Sequence, residues 1–368
     1  MNITVVMGTF NDVGGKPSGY ARKVWESAVS CSEGLGADNT INYYNGGNYD
    51  TLREAFSKAK DSQVVIWWAN VPNDAPIEKL VKDIKQVNPR AILVISKNNL
   101  EGKYNWIDLI GQLLAAHAAL GLVVENGTGK FVATVLDPLG NAYAFREPST
   151  ELVGVALGKR IRKLLTFTRV RSMRIGPSRP IEHNPDTADF CNIIRAHAER
   201  FHDLVHAANS TRFVGNAAYR CTKGGFPAFR EDGRVFVSRR NIDKRDILPD
   251  GFVEIDTTIS DRLKYYGDNP PSVDAPIQRE LFRLFPTVNY MIHAHVYLDT
   301  PLITSTRVPC GALEETEEIM AFKTDLDLAL SSNGIAMVNL LGHGCLVLAT
   351  DYRKLANLNW VGRALPEL

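Results

Sequence analysis

Two histidines separated by a single residue give the first indication of chemistry in this 368-residue chain. His293 and His295 lie in the stretch VNYMIHAHVYLDTP, whose apolar residues otherwise predict a buried strand. Alternate side chains of a strand point to the same face, so both imidazoles are expected on one side of the sheet. Two imidazoles at this spacing can bind one metal ion, although a pair of buried, hydrogen-bonded histidines gives the same pattern.

Other residues of metal-binding and acid–base types occur at related points in the sequence. His343 begins a second apolar strand in LLGHGCLVLAT, between two glycines that allow a backbone to approach closely. Asp274 precedes His293 by 19 residues (293 − 274) and lies in the predicted first turn of a helix, for which Ser272 is a suitable N-cap. A row of acidic residues follows the histidine strand: Glu314, Glu315, Glu317 and Glu318. They are of the acid–base type, although a row of this kind on a helix can also be simply a solvent-exposed face.

Four segments in the second half of the chain carry a family resemblance when taken together. They are GNAAYR, DKRDILPDGFVEID, PPSVDAPIQRELFRLFPTVNYMIHAHV and GHGCLVLATD, and they occur in the family's order and spacing. From about residue 187 to the end, the chain resembles the class II aldolase/adducin-like family, which includes the zinc-dependent fuculose- and rhamnulose-phosphate aldolases and L-ribulose-5-phosphate 4-epimerase. The pattern of short strands and helices in this half predicts an α+β fold with mainly antiparallel strands.

The resemblance implies a metal centre with acidic residues beside it. By comparison with the family, one divalent metal ion, zinc or another such as manganese, is bound by His293, His295 and His343. Asp274 occupies the position of the glutamate base of the aldolases and matches an aspartate that is a metal ligand in the epimerase. Glu317 lies near the position of the epimerase's acidic partner and Glu318 is its neighbour, so both are candidate catalytic residues. The family also implies a homo-oligomer, namely a tetramer.

Three imidazoles around a divalent metal suit the chemistry of hydroxy-ketones. Neutral imidazoles leave the metal cationic and open to substrate, and a Lewis acid stabilises charge on the carbonyl and hydroxyl oxygens as an enediolate. A nearby carboxylate such as Asp274 can then take or return the proton. We therefore expect a metal-dependent aldolase acting on a small sugar phosphate or a related hydroxy-ketone. The alternatives are a sugar-phosphate 4-epimerase of the same family, or a non-catalytic binding protein that retains the fold and has a nucleotide-binding N-terminal domain.

The resemblance also implies a site for the substrate phosphate. Gly215, Asn216 and Ser272 match the family at this site, but the loop VFVSRRNIDKRD departs from it. Where the family has a serine–glycine pair, this chain has Arg239 and Arg240. Arginine binds phosphate through a bidentate fork, so both are candidate substrate-binding residues unless the loop is simply solvated.

The N-terminal part of the chain has a different pattern. Continuous apolar strands alternate with amphipathic helices, which predicts a parallel sheet in a Rossmann-like α/β domain, and a hairpin follows with its turn at Pro138–Asn141. The loop GTFNDVGGKPSG follows the first strand, where the N-terminus of a helix favours a phosphate. Its spacing is neither that of a P-loop nor GxGxxG, so a tight turn without a ligand is the alternative. The candidate nucleotide-binding residues are Gly8, Gly14, Gly15 and Lys16.

Length and composition predict two domains in a soluble protein. We assign residues 1–147 to the Rossmann-like domain, 148–185 to a helix and a basic linker, and 186–368 to the class II aldolase/adducin-like domain. The formal net charge of +1 does not attract nucleic acid or an acidic membrane surface. Five cysteines without CxxC spacing fit a reducing compartment.

Targeting signals also bear on where the protein acts. No apolar run approaches the roughly 18 to 20 residues of a membrane span, and the N-terminus lacks the basic start of a signal peptide. We therefore expect a cytoplasmic protein with a small-molecule substrate and no membrane or nucleic-acid partner.

Overall fold

The structure, a computed structural model, describes the following residues: 2–9, 19–36, 39–45, 63–69, 91–98, 105–125, 130–179, 185–203, 212–221 and 233–362. The chain forms two compact units, of which the first is mainly Met1–Thr166 and the second is mainly Phe167–His206 with Ser210–Ala364. Among the described residues, no helix combines the length and the apolar character needed to cross a bilayer.

The first unit contains a seven-stranded sheet in the order β2-β1-β3-β4-β5-β6-β7. Its strands are β1 Asn2–Thr9, β2 Thr40–Asn45, β3 Gln63–Ala69, β4 Ile92–Asn98, β5 Leu120–Glu125, β6 Val132–Leu136 and β7 Ala142–Glu147. The pairs among β1 to β5 are parallel, whereas β5, β6 and β7 pair antiparallel. The predicted hairpin is confirmed, because its turn lies between β6 and β7, where the Asp137 carboxylate accepts hydrogen bonds from the backbone N–H groups of Leu139 and Asn141.

Three helices of this unit are described: α1 Gly19–Ser30, α2 Trp106–Ala115 and α3 Thr150–Thr166. Gly154 and Gly158 lie one turn apart on α3, and their missing side chains let its backbone approach the backbone of α1 at Val24 and Ala28. Helix α3 is therefore packed into the first unit.

The structure divides residues 148–185 differently from the sequence assignment. Helix α3 accounts for their first half, and Arg171–Gly176 forms a strand, β8, at the edge of the second unit's sheet. All six residues of β8 are exposed or half-buried. An edge strand of this kind does not need the apolar pattern from which strands are predicted, and so its arginine-rich sequence resembles a linker.

The second unit is built on an eight-stranded sheet in the order β15-β16-β13-β9-β10-β11-β12-β8. Its other strands are β9 Asn216–Cys221, β10 Arg234–Ser238, β11 Phe252–Ile255, β12 Arg262–Tyr266, β13 Tyr290–Ala294, β15 Ile335–Leu340 and β16 Gly344–Ala349, with a separate pair β14 Tyr297–Leu298 and β17 Trp360–Gly362. Every pair is antiparallel except β8 with β12. The predicted α+β organisation with mainly antiparallel strands is confirmed for this unit.

Helices cover both faces of this sheet: α4 Pro185–Phe201, α5 Ala275–Leu284, α6 Glu314–Met320 and α7 Lys323–Asn333. Ala217 of β9 lies in the cluster that contains Phe190 of α4, whereas Ala218 lies in the opposite cluster with Leu281 of α5. This alternation is the two-residue period of a strand, and burial on both sides explains why the central strands are continuously apolar. Full burial of a side chain such as that of Phe190 or Leu281 stabilises the fold by about 1.5–3 kcal/mol.

The glycine-rich loop of the first unit falls mainly outside the described residues. Gly14, Gly15 and Lys16 lie outside the described residues. So do the stretches YDTLREAFSKAK and PIEKLVKDIKQV, whose amphipathic pattern predicts helices. Gly8 lies within β1, where its partner on β3 is Trp68. The nucleotide site therefore stays a prediction.

Candidate metal centre

The order of strands in the second unit brings the three histidines together. Strand β13 lies between β9 and β16, and His293 pairs with Leu346 on one side and with Asn216 on the other. Because β13 and β16 run antiparallel, the end of β13 lies beside the start of β16. His295 directly follows β13 and His343 directly precedes β16, so all three imidazoles lie at the same end of the sheet.

The imidazoles are close enough to bind one ion. One nitrogen from each ring lies within 4.8 Å of the nitrogens of the other two, and the ring centroids are 4.7 to 5.2 Å apart. The residues are almost entirely buried, with exposed fractions of 3% for His293, 7% for His295 and 1% for His343. Three converging imidazoles are a common ligand set for a catalytic zinc ion.

The neighbours of His293 determine which of its nitrogens faces the centre. Its Nδ1 lies 2.8 Å from the carbonyl oxygen of Cys345, to which it must donate, so Nε2 carries a lone pair. This Nε2 is buried and has no hydrogen-bond partner among the residues that the structure describes. Burial, with a further contribution from His343, lowers the pKa of His293 to about 4, so the ring is neutral. An unpartnered buried nitrogen costs about 1–3 kcal/mol unless something binds it, and a metal ion is a suitable partner.

His343 is held by a carboxylate on the opposite side from the centre. Its Nδ1 lies 2.7 Å from Oε2 of Glu315 on α6, and both side chains are 1% exposed. Its Nε2 lies 3.1 Å from the sulfur of Cys310. Burial lowers the pKa of His343, but Cys310 and Glu315 together raise it well above its ordinary value, while burial raises the pKa of the Glu315 carboxyl. A carboxylate behind a ligand histidine fixes its tautomer and makes its free nitrogen more basic.

Asp274 lies beside His293, where the predicted helix begins. Asp274 is itself the N-cap of α5, so the predictions that it lies in the first turn and that Ser272 is the N-cap are wrong. Oδ2 of Asp274 is 3.9 Å from Nε2 of His293. Oδ2 accepts a hydrogen bond of 2.9 Å from the Asn216 side-chain amide, and Oδ1 accepts one of 2.7 Å from the backbone N–H of Gly311. The Asn216 carbonyl in turn accepts from Gln278 at 2.5 Å. These contacts hold the carboxylate in one orientation.

The predicted glycine–asparagine turn forms the wall behind His293. Gly215 has a φ of +76°, a conformation that favours glycine, and an added Cβ would lie 2.9 Å from the carbonyl oxygen of His293. Asn216 then starts β9 directly opposite His293. Glycine at this position thus allows the close approach that places the Asn216 amide on Asp274.

The remaining candidate substrate-binding residues form a loop next to Asp274. The Ser272 hydroxyl accepts a hydrogen bond of 3.4 Å from the backbone N–H of Asp274. Arg239 forms an isolated bridge with Pro271, and the guanidinium of Arg240 donates to the carbonyl oxygen of Pro271 at 3.3 Å. Arg239 is half-buried and Arg240 is exposed. The structure therefore brings the arginine loop and Ser272 together beside the carboxylate.

The four glutamates of α6 have different environments, and the two selected from the sequence do not contact the histidines. Glu317 is exposed, and Glu318 accepts hydrogen bonds from the backbone of Ser305 and Thr306. Only Glu315 among them bonds to a candidate ligand, through His343. Helical spacing could have singled out Glu315 from the sequence, because Glu315 lies one turn before Ile319, which is buried. Cys310 was not among the candidate residues either, because it belongs to no recognisable sequence motif.

A small cavity adjoins the centre on the side of helices α5 and α6. Its volume is about 20 Å³, and its lining residues are Asn216, Asp274, Ile277, Gln278, His293, Glu315, Ile319, Leu340, His343 and Leu346. Oε1 of Gln278 and Oε1 of Glu315 have no hydrogen-bond partner among the described residues. The cavity has room for a single water molecule.

Comparison with known families places this geometry in context. Residues 196–361 match the sequence profile of the class II aldolase and adducin N-terminal domain. This part of the chain belongs to the class II aldolase/adducin family. The resemblance inferred from the four sequence segments is therefore confirmed, and the matched residues include Asp274, the three histidines and the arginine loop.

Individual relatives of the class II aldolase domain are distant. A methylthioribulose-1-phosphate dehydratase of Enterobacter sp. (strain 638) is 25% identical over 128 residues, which are 34% of this chain and 61% of that relative. An L-fuculose 1-phosphate aldolase is structurally similar at 14% identity and a TM-score of 0.31, covering 46% of this chain and 79% of the other. The N-terminal class II aldolase domain of a Thermoplasma acidophilum protein matches at 14% identity and a TM-score of 0.33, covering 48% and 90%.

Proposed function

We propose that the class II aldolase domain is a divalent-metal-dependent lyase that acts on a sugar phosphate. The observation that carries this proposal is the convergence of His293, His295 and His343, with the outer nitrogens of two of them already bound by protein acceptors. Membership of the family and the similarity to a sugar-phosphate dehydratase support an enzyme of the lyase class.

The side chains fit a divalent metal. A ligand histidine needs one ring nitrogen held by the protein and the other left for the metal. Within the described residues, Nε2 of His293 has no protein partner, and Nδ1 of His343 is held by Glu315. Zinc is the first expectation from the donor set, with manganese as the alternative. When bound, the metal would act as a Lewis acid that stabilises negative charge on the ketone oxygen and the adjacent hydroxyl of the substrate.

Asp274 is the proposed acid–base residue. Both of its oxygens accept hydrogen bonds, from Asn216 and Gly311, so the carboxylate is kept oriented toward the centre and can hold a proton taken from the substrate carbon. Its distance of 3.9 Å from Nε2 of His293 also leaves it within reach of the ion itself. Arg239 and Arg240 are proposed to bind the phosphate through their guanidinium groups.

Two reactions of the lyase class pass through the enolate of the ketone. In an aldolase, a base removes the proton of the hydroxyl two carbons from the ketone, the carbon–carbon bond breaks to give an aldehyde and the enolate, and the enolate carbon is then protonated. In a dehydratase, a base removes a proton from the carbon next to the ketone, and the enolate expels the neighbouring hydroxyl group, which leaves with a proton as water. The similarity to a methylthioribulose-1-phosphate dehydratase favours the second, and the histidine set suits both. A 4-epimerase of the same family is the further alternative.

A substrate panel with defined metals tests this proposal. Metal-free protein is reloaded with Zn²⁺ or Mn²⁺ and incubated with ketose 1-phosphates, including those of fuculose and methylthioribulose, and products are followed by mass spectrometry. Two smaller fragments indicate aldol cleavage, and loss of one water indicates dehydration. Asp274→Asn should lose turnover while it keeps the metal, and Glu317→Gln, on an exposed part of α6, is the matched control. Metal-loaded protein that turns over nothing in the panel would favour a binding protein.

We also propose that the first unit binds a nucleotide on a Rossmann-like sheet. Its strands β2-β1-β3-β4-β5 are parallel, and Gly8 lies at the carboxyl end of β1, where such sheets bind ligands. Thermal-shift measurements on the full chain with a panel of nucleotides test this, and no shift with any of them would contradict it. A homotetramer is likewise a proposal, to be tested by light scattering.

A further inference from the structure

Cys310 lies against the nitrogen with which His343 faces the centre. Its sulfur is 3.1 Å from Nε2 of His343, and Asp274, Cys310 and His343 each offer one ligand atom within 4.8 Å of the other two. The next residue, Gly311, has a φ of +76° and donates its N–H to Asp274. The loop that carries the thiol is therefore attached to the carboxylate of the candidate centre.

The contact with Cys310 involves the metal-facing side of His343. Nδ1 of His343 is occupied by Glu315, so Nε2 is the nitrogen left for an ion, and the sulfur lies next to it. A second feature indicates a ligand at the same place. Nε2 of His293 is buried, has no hydrogen-bond partner within the described part of the chain and lies 3.9 Å from Oδ2 of Asp274. The site thus contains an unsatisfied nitrogen as well as a sulfur close to a ligand nitrogen.

The separation of sulfur and nitrogen matches two ligands of one ion. Zinc binds imidazole nitrogen at about 2.0–2.1 Å and thiolate sulfur at about 2.3 Å, which puts the two donor atoms about 3.1–3.6 Å apart for angles between 90° and the tetrahedral value. The observed 3.1 Å lies at the lower end of this range.

We propose that Cys310 is a thiolate ligand of the same metal ion as the three histidines. This inference rests on the proposed metal centre and adds a donor to it. A thiolate is soft and anionic, so it favours zinc, cadmium or cobalt over magnesium and manganese. The histidines and Asp274 are buried, whereas Cys310 is half exposed. Cys310 would therefore be the most solvent-accessible of the residues that hold the metal.

Cobalt substitution tests the metal–sulfur bond directly. Metal-free full-length protein is loaded with Co²⁺, and its near-ultraviolet absorption is compared with that of Cys310→Ser and of Cys31→Ser, a matched control at another half-buried cysteine in the first unit. We expect a thiolate-to-cobalt charge-transfer band in the wild type and in Cys31→Ser, and none in Cys310→Ser. We also expect Cys310→Ser to weaken zinc binding about tenfold or more and manganese binding much less, since only the soft donor is lost.

Alkylation of the wild type gives a reading that does not depend on a variant folding. Iodoacetamide should modify Cys310 in the metal-free protein, and Zn²⁺ should protect that residue, as identified by peptide mass spectrometry. Cobalt-loaded wild type without a charge-transfer band, or zinc-loaded protein alkylated at Cys310 as fast as metal-free protein, would overturn the inference and leave the histidine centre standing. Failure of the wild type to bind any of these metals would overturn both this inference and the proposed function.

Discussion

The hydrogen bond between Glu315 and His343 should control how tightly the metal is held. It is 2.7 Å long, and both side chains are 1% exposed, so bulk water does not compete with this hydrogen bond in the wild type. Glu315→Gln keeps an acceptor of the same shape and removes the charge, whereas Glu315→Ala removes the acceptor as well. The two substitutions therefore separate the effect of charge from the effect of the hydrogen bond.

The expected losses follow from the energies of buried hydrogen bonds. A bond to a charged group contributes roughly 1.5–3 kcal/mol and a neutral one roughly 0.5–1.5 kcal/mol, so Glu315→Gln should cost about 1 kcal/mol of zinc binding, or about fivefold in Kd. Glu315→Ala leaves the Nδ1–H of His343 buried without an acceptor, which costs about 1–3 kcal/mol. Its zinc affinity should fall about 10–100-fold, as is usual when the partner of a ligand histidine is lost.

Competition with a chromophoric zinc chelator measures these affinities at fixed pH and ionic strength. Glu317→Gln is the matched control because Glu317 is exposed on the same helix, and its Kd should change by no more than about twofold. If Glu315→Ala binds zinc within about twofold of the wild type, Glu315 does not support His343 as a metal ligand. Circular dichroism and urea unfolding establish that each variant is folded before its affinity is compared.

Three further substitutions test other parts of the same unit. Asn216→Ala removes the amide that donates to Asp274, so turnover should fall about 10–100-fold with little change in zinc affinity, and unchanged kcat would contradict the role assigned to that amide. Burial lowers the pKa of Lys244 to about 7, below that of the unfolded chain. The unfolded chain therefore binds one more proton between about pH 7 and pH 10, and stability should rise with pH across that window. Lys244→Met should unfold at higher urea near pH 7 and lack this rise, and a parallel pH profile would refute the assignment. Gly344→Ala should reduce the free energy of unfolding by about 3 kcal/mol or more, because Gly344 has a φ of +139° and an added Cβ would lie 2.7 Å from Cα of His295. A loss below about 1 kcal/mol in urea unfolding would show that the backbone relaxes.

Local patterns account for the parts of the site that the sequence predicted. The two-residue period of a strand puts His293 and His295 on one face, and it holds here because β13 is regular up to Ala294. The start of a helix at Asp274 and the start of a strand after His343 follow from residue type and spacing in the same way. Each of these features depends only on residues that are close together along the chain.

Two features of the centre could not be derived from such patterns. Glu315 and Glu317 are both acidic residues on α6, and the choice between them depends on which side of that helix packs against the sheet. Cys310 lies in a loop without a repeating pattern, and its contact with His343 joins residues that are 33 positions apart. The arginine-rich edge strand β8 was missed for a related reason, since its side chains are not required to be apolar.

The sequence by itself determined the family of the C-terminal half and three histidines with an aspartate as candidate ligands. It did so through the resemblance of four short segments to that family, which implied the ligand set. Strand periodicity and helix starts, which are properties of neighbouring residues, added that His293 and His295 share one face and that Asp274 lies where a helix begins. Only the tertiary structure decided that Glu315 supports His343, that Asn216 and Gly311 orient Asp274, and that the thiol of Cys310 lies beside the ligand nitrogen. These contacts arise from the antiparallel register of β9, β13 and β16 and from the packing of α5 and α6 on that sheet, which join segments far apart in the chain.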